Sequence, residues 1–118
     1  MIGGFLLTCY TLRDVVLDIM KLWLDDIRTP PNSDWIWAKT ADDAIYLIRT
    51  QEIDEISFDH DLGTSTDGTG YSVAMEIEFL CHEKKMKCPK WKVHSANPVG
   101  VSNIIMAMKN AEKYSINL

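Results

Sequence analysis

The chain lacks a membrane span: its longest apolar runs fall far short of the ~20 residues that a transmembrane helix needs. It is short of cysteine, with three (Cys9, Cys81 and Cys88). An odd, small set makes no disulfide framework, and the expectation is a reduced, cytoplasmic protein with idle thiols. An excess of positive charge is also missing. The net charge is −5, which argues against extensive binding of duplex nucleic acid but leaves room for a local basic patch. There is no internal repeat and no low-complexity segment. Gly63, Gly68 and Gly70 precede a helix, yet no Gly-Lys-Ser/Thr follows, so a phosphate-binding P-loop is excluded. The first basic residue is Arg13, and without a basic leader or a small-residue cleavage site a signal peptide is not expected.

At 118 residues the size fits one domain. Met20 directly precedes the first strong strand, so residues 1–19 read as an N-terminal extension or an upstream start, and 20–118 as the domain. Within 4–19, Gly4 to Tyr10 suits a strand, while Leu12, Val15, Val16 and Ile19 follow helical spacing. Lys21 to Asp25 reads as a strand buried on both faces, and Arg28 to Asp34, with Pro30 and Pro31, as a loop. Trp35 to Lys39 is a second strand. Thr40 caps a helix that carries Asp42 and Asp43 in its first turn and runs to about Gln51. Glu55 to Asp59 is the third strand, 62–70 a Gly/Thr loop, and Tyr71 to about Lys85 a helix. Trp91 to Ser95 is the fourth strand, Asn97 to Gly100 a turn, and the last helix starts at Ser102 or Asn103 and ends near Tyr114. Strands alternating with helices predict a mostly parallel α/β sheet. Right-handed crossovers would then place helices on both faces.

Three apolar segments end in polar side chains: Asp25-Asp26, Asp59-His60-Asp61 and His94-Ser95. In an open parallel sheet, ligands bind beyond the carboxyl ends of the strands, where the order reverses. With order 2-1-3-4 that point lies between the first and third strands, where the four acids sit. Clustered carboxylates stay ionised together only around a cation, or else some take up protons. Each Asp taken singly is better explained as a solvated loop residue or a cap; the joint pattern points to a site. A hard divalent ion suits oxygen ligands, and His60 or His94 would widen the choice of metal. His94 is a candidate acid, base or ligand, or a packing residue. Arg28 is either a phosphate clamp or a salt-bridge partner of Asp25 or Asp26. Ser95 can bind an oxyanion, and Asn97-Pro98 suits a turn. Trp35 and Trp37 can stack a base, but alternation aims both at one sheet face, where core packing is the commoner role. Cys81, His82, Cys88 and His94 do not have the spacing of a zinc finger.

The acidic pair after the first strand, the aspartate ending the third and Ser95-Ala96 after the fourth resemble response-regulator receiver domains. No Lys-Pro follows the fourth strand, and neither a fifth strand nor its lysine is evident. Leu22 to Pro30, Phe58-Asp59-His60-Asp61-Leu62-Gly63 and His94-Ser95-Ala96-Asn97-Pro98 more closely resemble the cyclic-phosphate-processing receiver-like domains of bacteria and their phages. The resemblance implies a flavodoxin- or receiver-like three-layer sandwich. Its sheet would be mostly parallel, of four or five strands in order 2-1-3-4, with a reduced first helix. It also implies metal-dependent processing of an RNA 2′,3′-cyclic phosphate end or a cyclic nucleotide. In that reading Asp25, Asp26 and Asp59 hold Mg²⁺ or Mn²⁺. Asp59, His94 and Asp61 carry the chemistry, while Arg28, His60, Ser95 and Asn97 hold the substrate. The alternative is a non-enzymatic receiver-like module that binds a nucleotide or a protein partner. A third reading, phosphoacceptance at Asp59, is disfavoured by the missing lysine.

Overall fold

The computed structural model describes residues 19–63 and 68–115. The strand-or-helix alternatives for 4–19, apart from Ile19, lie outside the described residues. So do the centre of the Gly/Thr loop and the last three positions. Four parallel strands form one sheet: β1 (Lys21–Leu24), β2 (Trp35–Ala38), β3 (Glu55–Phe58) and β4 (Lys90–Val93), in the order β2-β1-β3-β4. Three helices follow the last three strands: α1 (Ala41–Thr50), α2 (Gly70–His82) and α3 (Pro98–Ser115). This is the receiver-like α/β arrangement that the sequence predicts. The stretch from Asp25 to Asp34, where a first helix would stand, is irregular, as Pro30 and Pro31 require. Among the described residues, no helix is long and apolar enough to cross a membrane.

The helices were expected on both faces, but the described ones all stand on one. Both helical crossovers, β2 to β3 and β3 to β4, run in the same direction across the sheet. Right-handedness therefore puts α1 and α2 on the same side. Only the β1-to-β2 connection runs the other way, and it carries no helix. The three helices lie side by side. Arg49 of α1 pairs with Glu76 of α2 at 2.8 Å, and Asn110 of α3 donates to Glu78 of α2 at 3.1 Å. Their apolar residues, among them Ala44, Ile48, Val73, Ile77, Ile104 and Met108, close on Leu22, Leu24, Ile56 and Phe58 to form one core. Trp91 belongs to that same sheet face, and its Nε1 donates to Glu112 of α3 at 2.8 Å.

Local chemistry sets the helix starts. Thr40 Oγ1 accepts the Asp43 N–H at 3.1 Å and caps α1. The last helix begins at Pro98, four or five residues earlier than the expected start at Ser102 or Asn103. Asn97 is its cap, with Oδ1 accepting the Gly100 N–H at 3.0 Å and the backbone carbonyl accepting Val101 N–H at 2.9 Å. Pro98 then takes the first helical position, where its missing N–H costs nothing. Asn-Pro-x-Gly reads equally well as a turn, and the cap decides between the two.

Gly70 opens α2 against the end of β3. Its N–H donates to His60 O at 2.9 Å, and a Cβ there would lie 2.0 Å from the Asp59 carbonyl oxygen. No side chain fits, because the obstructing atoms are backbone. Gly70→Ala should therefore lower unfolding stability by about 1–3 kcal/mol, the range for forced overpacking. Urea denaturation checks this, with the slope unchanged.

Candidate functional site

The sheet's hydrogen-bond ladder continues one residue past the strands, and that extension builds the site. Asp25 N–H donates to Ala38 O at 3.1 Å, Asp59 N–H to Leu24 O at 2.9 Å, and His94 N–H to Phe58 O at 2.8 Å. Asp25, Asp59 and His94 are thereby held at one level, beyond the register row Leu24, Phe58 and Val93.

Asp25 is 1% exposed. Its Oδ1 accepts the N–H groups of Ile27 and Arg28 at 2.8 and 2.9 Å, and its Oδ2 faces His94 Nε2 at 3.0 Å. Burial alone would raise its pKa. The two backbone donors and His94 outweigh burial and hold the carboxyl below its ordinary value, so Asp25 is an anion fixed in the sheet's end.

Asp59 is also buried, and it responds in the opposite direction. Burial, then the Asp25 charge, push its pKa up, against the lowering influence of the Ser95 hydroxyl, the His60 backbone and His94. With half-buried Asp26, ligand oxygens of the three acids lie within 4.8 Å of one another. Oxygens on opposite sides of a bound ion stand about 4.2 Å apart for Mg²⁺ and up to about 5 Å for Ca²⁺. The donor set therefore fits a hard divalent cation, with only slight closure for the smaller ion. A cavity of about 290 Å³ opens over these acids, and Ile27, Arg28, Asp61, Gly63 and Ala96 complete its wall. A larger hollow of about 860 Å³ lies at the other end of the strands, beside Lys21, Asp54 and Lys90. The three-acid cluster is absent from it, so the smaller cavity is the chemical one.

The other residues singled out from sequence fall into two groups. Asp61 lies outside the three-acid cluster, with a mostly exposed side chain. Its Oδ1 meets His60 Nδ1 at 2.9 Å and accepts from Asn97 Nδ2 at 3.3 Å; these contacts, His60 first, lower its pKa. The His60 ring rests on Gly100 at the start of α3, where a Cβ would come within 2.2 Å of it. Ser95 Oγ accepts the Asn97 N–H at 3.1 Å. Arg28 makes no ion pair with Asp25 or Asp26; its Nη1 donates to the His94 carbonyl at 2.8 Å. Cys88 precedes β4 and His94 follows it, so that cysteine–histidine set does not converge.

His94 has partners that sequence reasoning missed. Its Nδ1 lies 2.8 Å from Ser57 Oγ, and its ring stacks on Trp23 with centroids 4.0 Å apart and planes 4° from parallel. An ionised Asp25 can only accept, so Nε2 carries the hydrogen. In the neutral ring Nδ1 then accepts from the Ser57 hydroxyl. Ser57 is buried, which makes it an anchor for the ring. The signal was a lone hydroxyl between Ile56 and Phe58 in an apolar strand. Trp23 Nε1 donates to Arg28 O at 2.9 Å and Trp37 Nε1 to Asp25 O at 2.7 Å, so both indoles brace the Asp25–Arg28 turn.

Two outcomes follow for stability. His94→Ala strands Asp25 Oδ2 and Ser57 Oγ, and should cost about 1–3 kcal/mol in chemical denaturation. Asp59 has a folded pKa above its unfolded one, so metal-free stability falls as pH rises through that interval. Asp59→Asn should therefore raise the thermal midpoint in EDTA at neutral pH. Mg²⁺ at one hundred times its Kd should stabilise the wild type by about 2.7 kcal/mol and the variant hardly at all.

No curated protein and no solved structure matches the chain. A family model, described as the cyclic-phosphate processing Receiver domain, matches residues 20–110. That span contains all four strands, both helical crossovers and every residue of the acidic cluster. The chain is therefore a member of the cyclic-phosphate processing receiver domain family.

Proposed function

We propose that the protein is a metal-dependent phosphoesterase that opens a cyclic phosphate, either an RNA 2′,3′-cyclic end or a cyclic nucleotide. The observation that carries this reading is the convergence of Asp25, Asp26 and Asp59 at one strand-end cavity whose wall, among the described residues, includes no lysine. A phosphoaccepting receiver would want a lysine there, and among the described residues the only cationic side chain in that wall is Arg28.

The three carboxylates would hold Mg²⁺ or Mn²⁺, which when bound neutralises phosphoryl charge and lowers the pKa of water. The rest of the chemistry falls to the chain's own groups. Arg28, tethered at the cavity wall by the His94 carbonyl, carries the positive charge for a phosphoryl oxygen. Ser95 and Asn97 line the start of α3, where polar groups and the helix dipole favour an anion. Asp61, held by His60 and Asn97, faces the same cavity and orients the water. The His60–Asp61 pair is a histidine–carboxylate unit suited to exchanging the proton that the leaving alkoxide takes up. Sequence reasoning gave that proton to His94. Both His94 nitrogens are engaged, by Asp25 and Ser57, so we assign it instead to fixing the Asp25 carboxylate.

The test is turnover of a panel of 2′,3′- and 3′,5′-cyclic nucleotides by the purified chain with Mg²⁺ or Mn²⁺. Asp59→Asn should reduce the rate to background, and His94→Ala should weaken metal affinity about 10–100-fold. Absence of turnover across the panel, or turnover indifferent to Asp59→Asn, overturns the reading.

A further inference from the structure

The sheet face turned away from the three helices differs in character from the one that they cover. Alternation and register put Trp23, Trp35 and Trp37 on it together. The same rules place Lys21, Lys90 and Lys92 there, and Lys39 joins them one step beyond β2. Four lysines share this face with Glu55, which pairs with Lys92 at 3.7 Å, and with Asp25 and Asp59 one step beyond the strands at the cavity, on a chain whose net charge is −5. The three indoles are only partly buried, and every core residue of the described helices belongs to the opposite face. The lysines lie against the rings: Lys39 Nζ is 4.4 Å from the Trp37 centroid, and Lys21 and Lys92 are 5.4 and 5.7 Å from that of Trp35. Flat rings interleaved with ammonium groups are the recognition chemistry of single-stranded nucleic acid, whose bases stack while its phosphates take the cations.

This face is continuous with the acidic cavity. Trp23 stacks on His94 and donates to the Arg28 carbonyl, and Trp37 donates to the Asp25 carbonyl. A strand lying across the indoles therefore ends beside Arg28 and the three acids. A duplex hides its bases from such a surface, whereas a single strand presents them. We propose that this sheet face docks single-stranded RNA and leads its terminal phosphate into the acidic site. The choice of RNA over DNA rests on the cyclic-phosphate reading, because a 2′,3′-cyclic phosphate needs a ribose; the stacking surface does not depend on it.

The experiment uses the full chain and a labelled RNA of about six nucleotides, within the range that stacking surfaces cover, ending in a 2′,3′-cyclic phosphate. Anisotropy should report binding that weakens about tenfold in Trp35→Ala and is largely recovered in Trp35→Phe. Trp35 is the informative indole, because Trp23 and Trp37 also brace the site. Lys39→Gln and Lys92→Gln should each reduce the slope of log Kd against log salt by about 0.7. These two variants carry the test if Trp35→Ala does not fold. No binding, or binding that none of the variants weakens, overturns the proposal. Equal affinity for the same sequence as DNA or as a duplex overturns the RNA assignment. Indoles that lose iodide quenching as protein concentration rises, without RNA, would mark an interface between copies and also overturn it. Cyclic mononucleotide turnover by the wild type separates the two readings. Turnover without RNA binding removes this proposal alone. Trp35-dependent RNA binding with no cyclic phosphate opened removes the phosphoesterase reading and leaves the docking face standing.

Discussion

The buried Asp25 carboxylate is the interaction on which the rest of the site depends. An anion at 1% exposure persists only if its oxygens are satisfied, and the surrounding structure is arranged to satisfy them. The turn to Arg28 folds back so that two N–H groups reach Oδ1, and His94 closes on Oδ2. The residue's own backbone ties in β2, through Ala38 O and the Trp37 indole. One residue, through its side chain and its backbone, thus connects the ends of β1, β2 and β4. Its charge is also a principal reason, after burial, that Asp59 holds a proton more tightly than usual. The two acids shift in opposite directions because two backbone donors and His94 outweigh burial at Asp25, whereas the Ser95 hydroxyl and the His60 backbone do not outweigh burial and the Asp25 charge at Asp59. A cation between the acids removes the conflict, and the pocket wall gives it few rivals.

Much of this was legible in the chain. β1 and β3 announce themselves as short apolar runs stopped by acids, although β1 is not buried on both faces as expected: half-buried Lys21 and Trp23 alternate with buried Leu22 and Leu24. Thr40 followed by Asp42 and Asp43 marks the start of α1. Asp25, Asp26 and Asp59 could be placed together because each immediately follows a strand and the strand order fixes which ends are neighbours. What escaped depends on distances that no local pattern carries. Ser57 reaches His94 across 37 positions and His94 reaches Asp25 across 69; only the register brings them level. The start of α3 was hidden because asparagine and proline serve turns and helix N-termini alike.

The one-sided placement of the helices shows how a fold-level rule can mislead when one element is lost. Right-handed crossovers cover both faces only if the chain moves both ways across the sheet with a helix each time. Here the single leftward move, β1 to β2, is made by a proline-containing loop. Trp35 and Trp37, which would be core residues under a helix, instead carry lysines over their rings. The meaning of an aromatic pair on a strand was therefore set by a helix missing elsewhere in the sequence.

The strand order also governs how the chain acquires its structure. Every neighbouring pair is parallel, so no pair is closed by a hairpin. The β1–β3 and β3–β4 partners are each more than thirty residues apart in sequence, and the entropy of closing such loops is lost before any contact compensates for it. Until β3 arrives, β1 presents an unpaired edge and the apolar row from Ile56 to Phe58 has nothing to lie between. β3 is thus the keystone of assembly, and the residue at its tip is Asp59. The third carboxylate reaches the other two only in molecules where β3 has paired with β1, so a misassembled chain lacks the three-acid cluster.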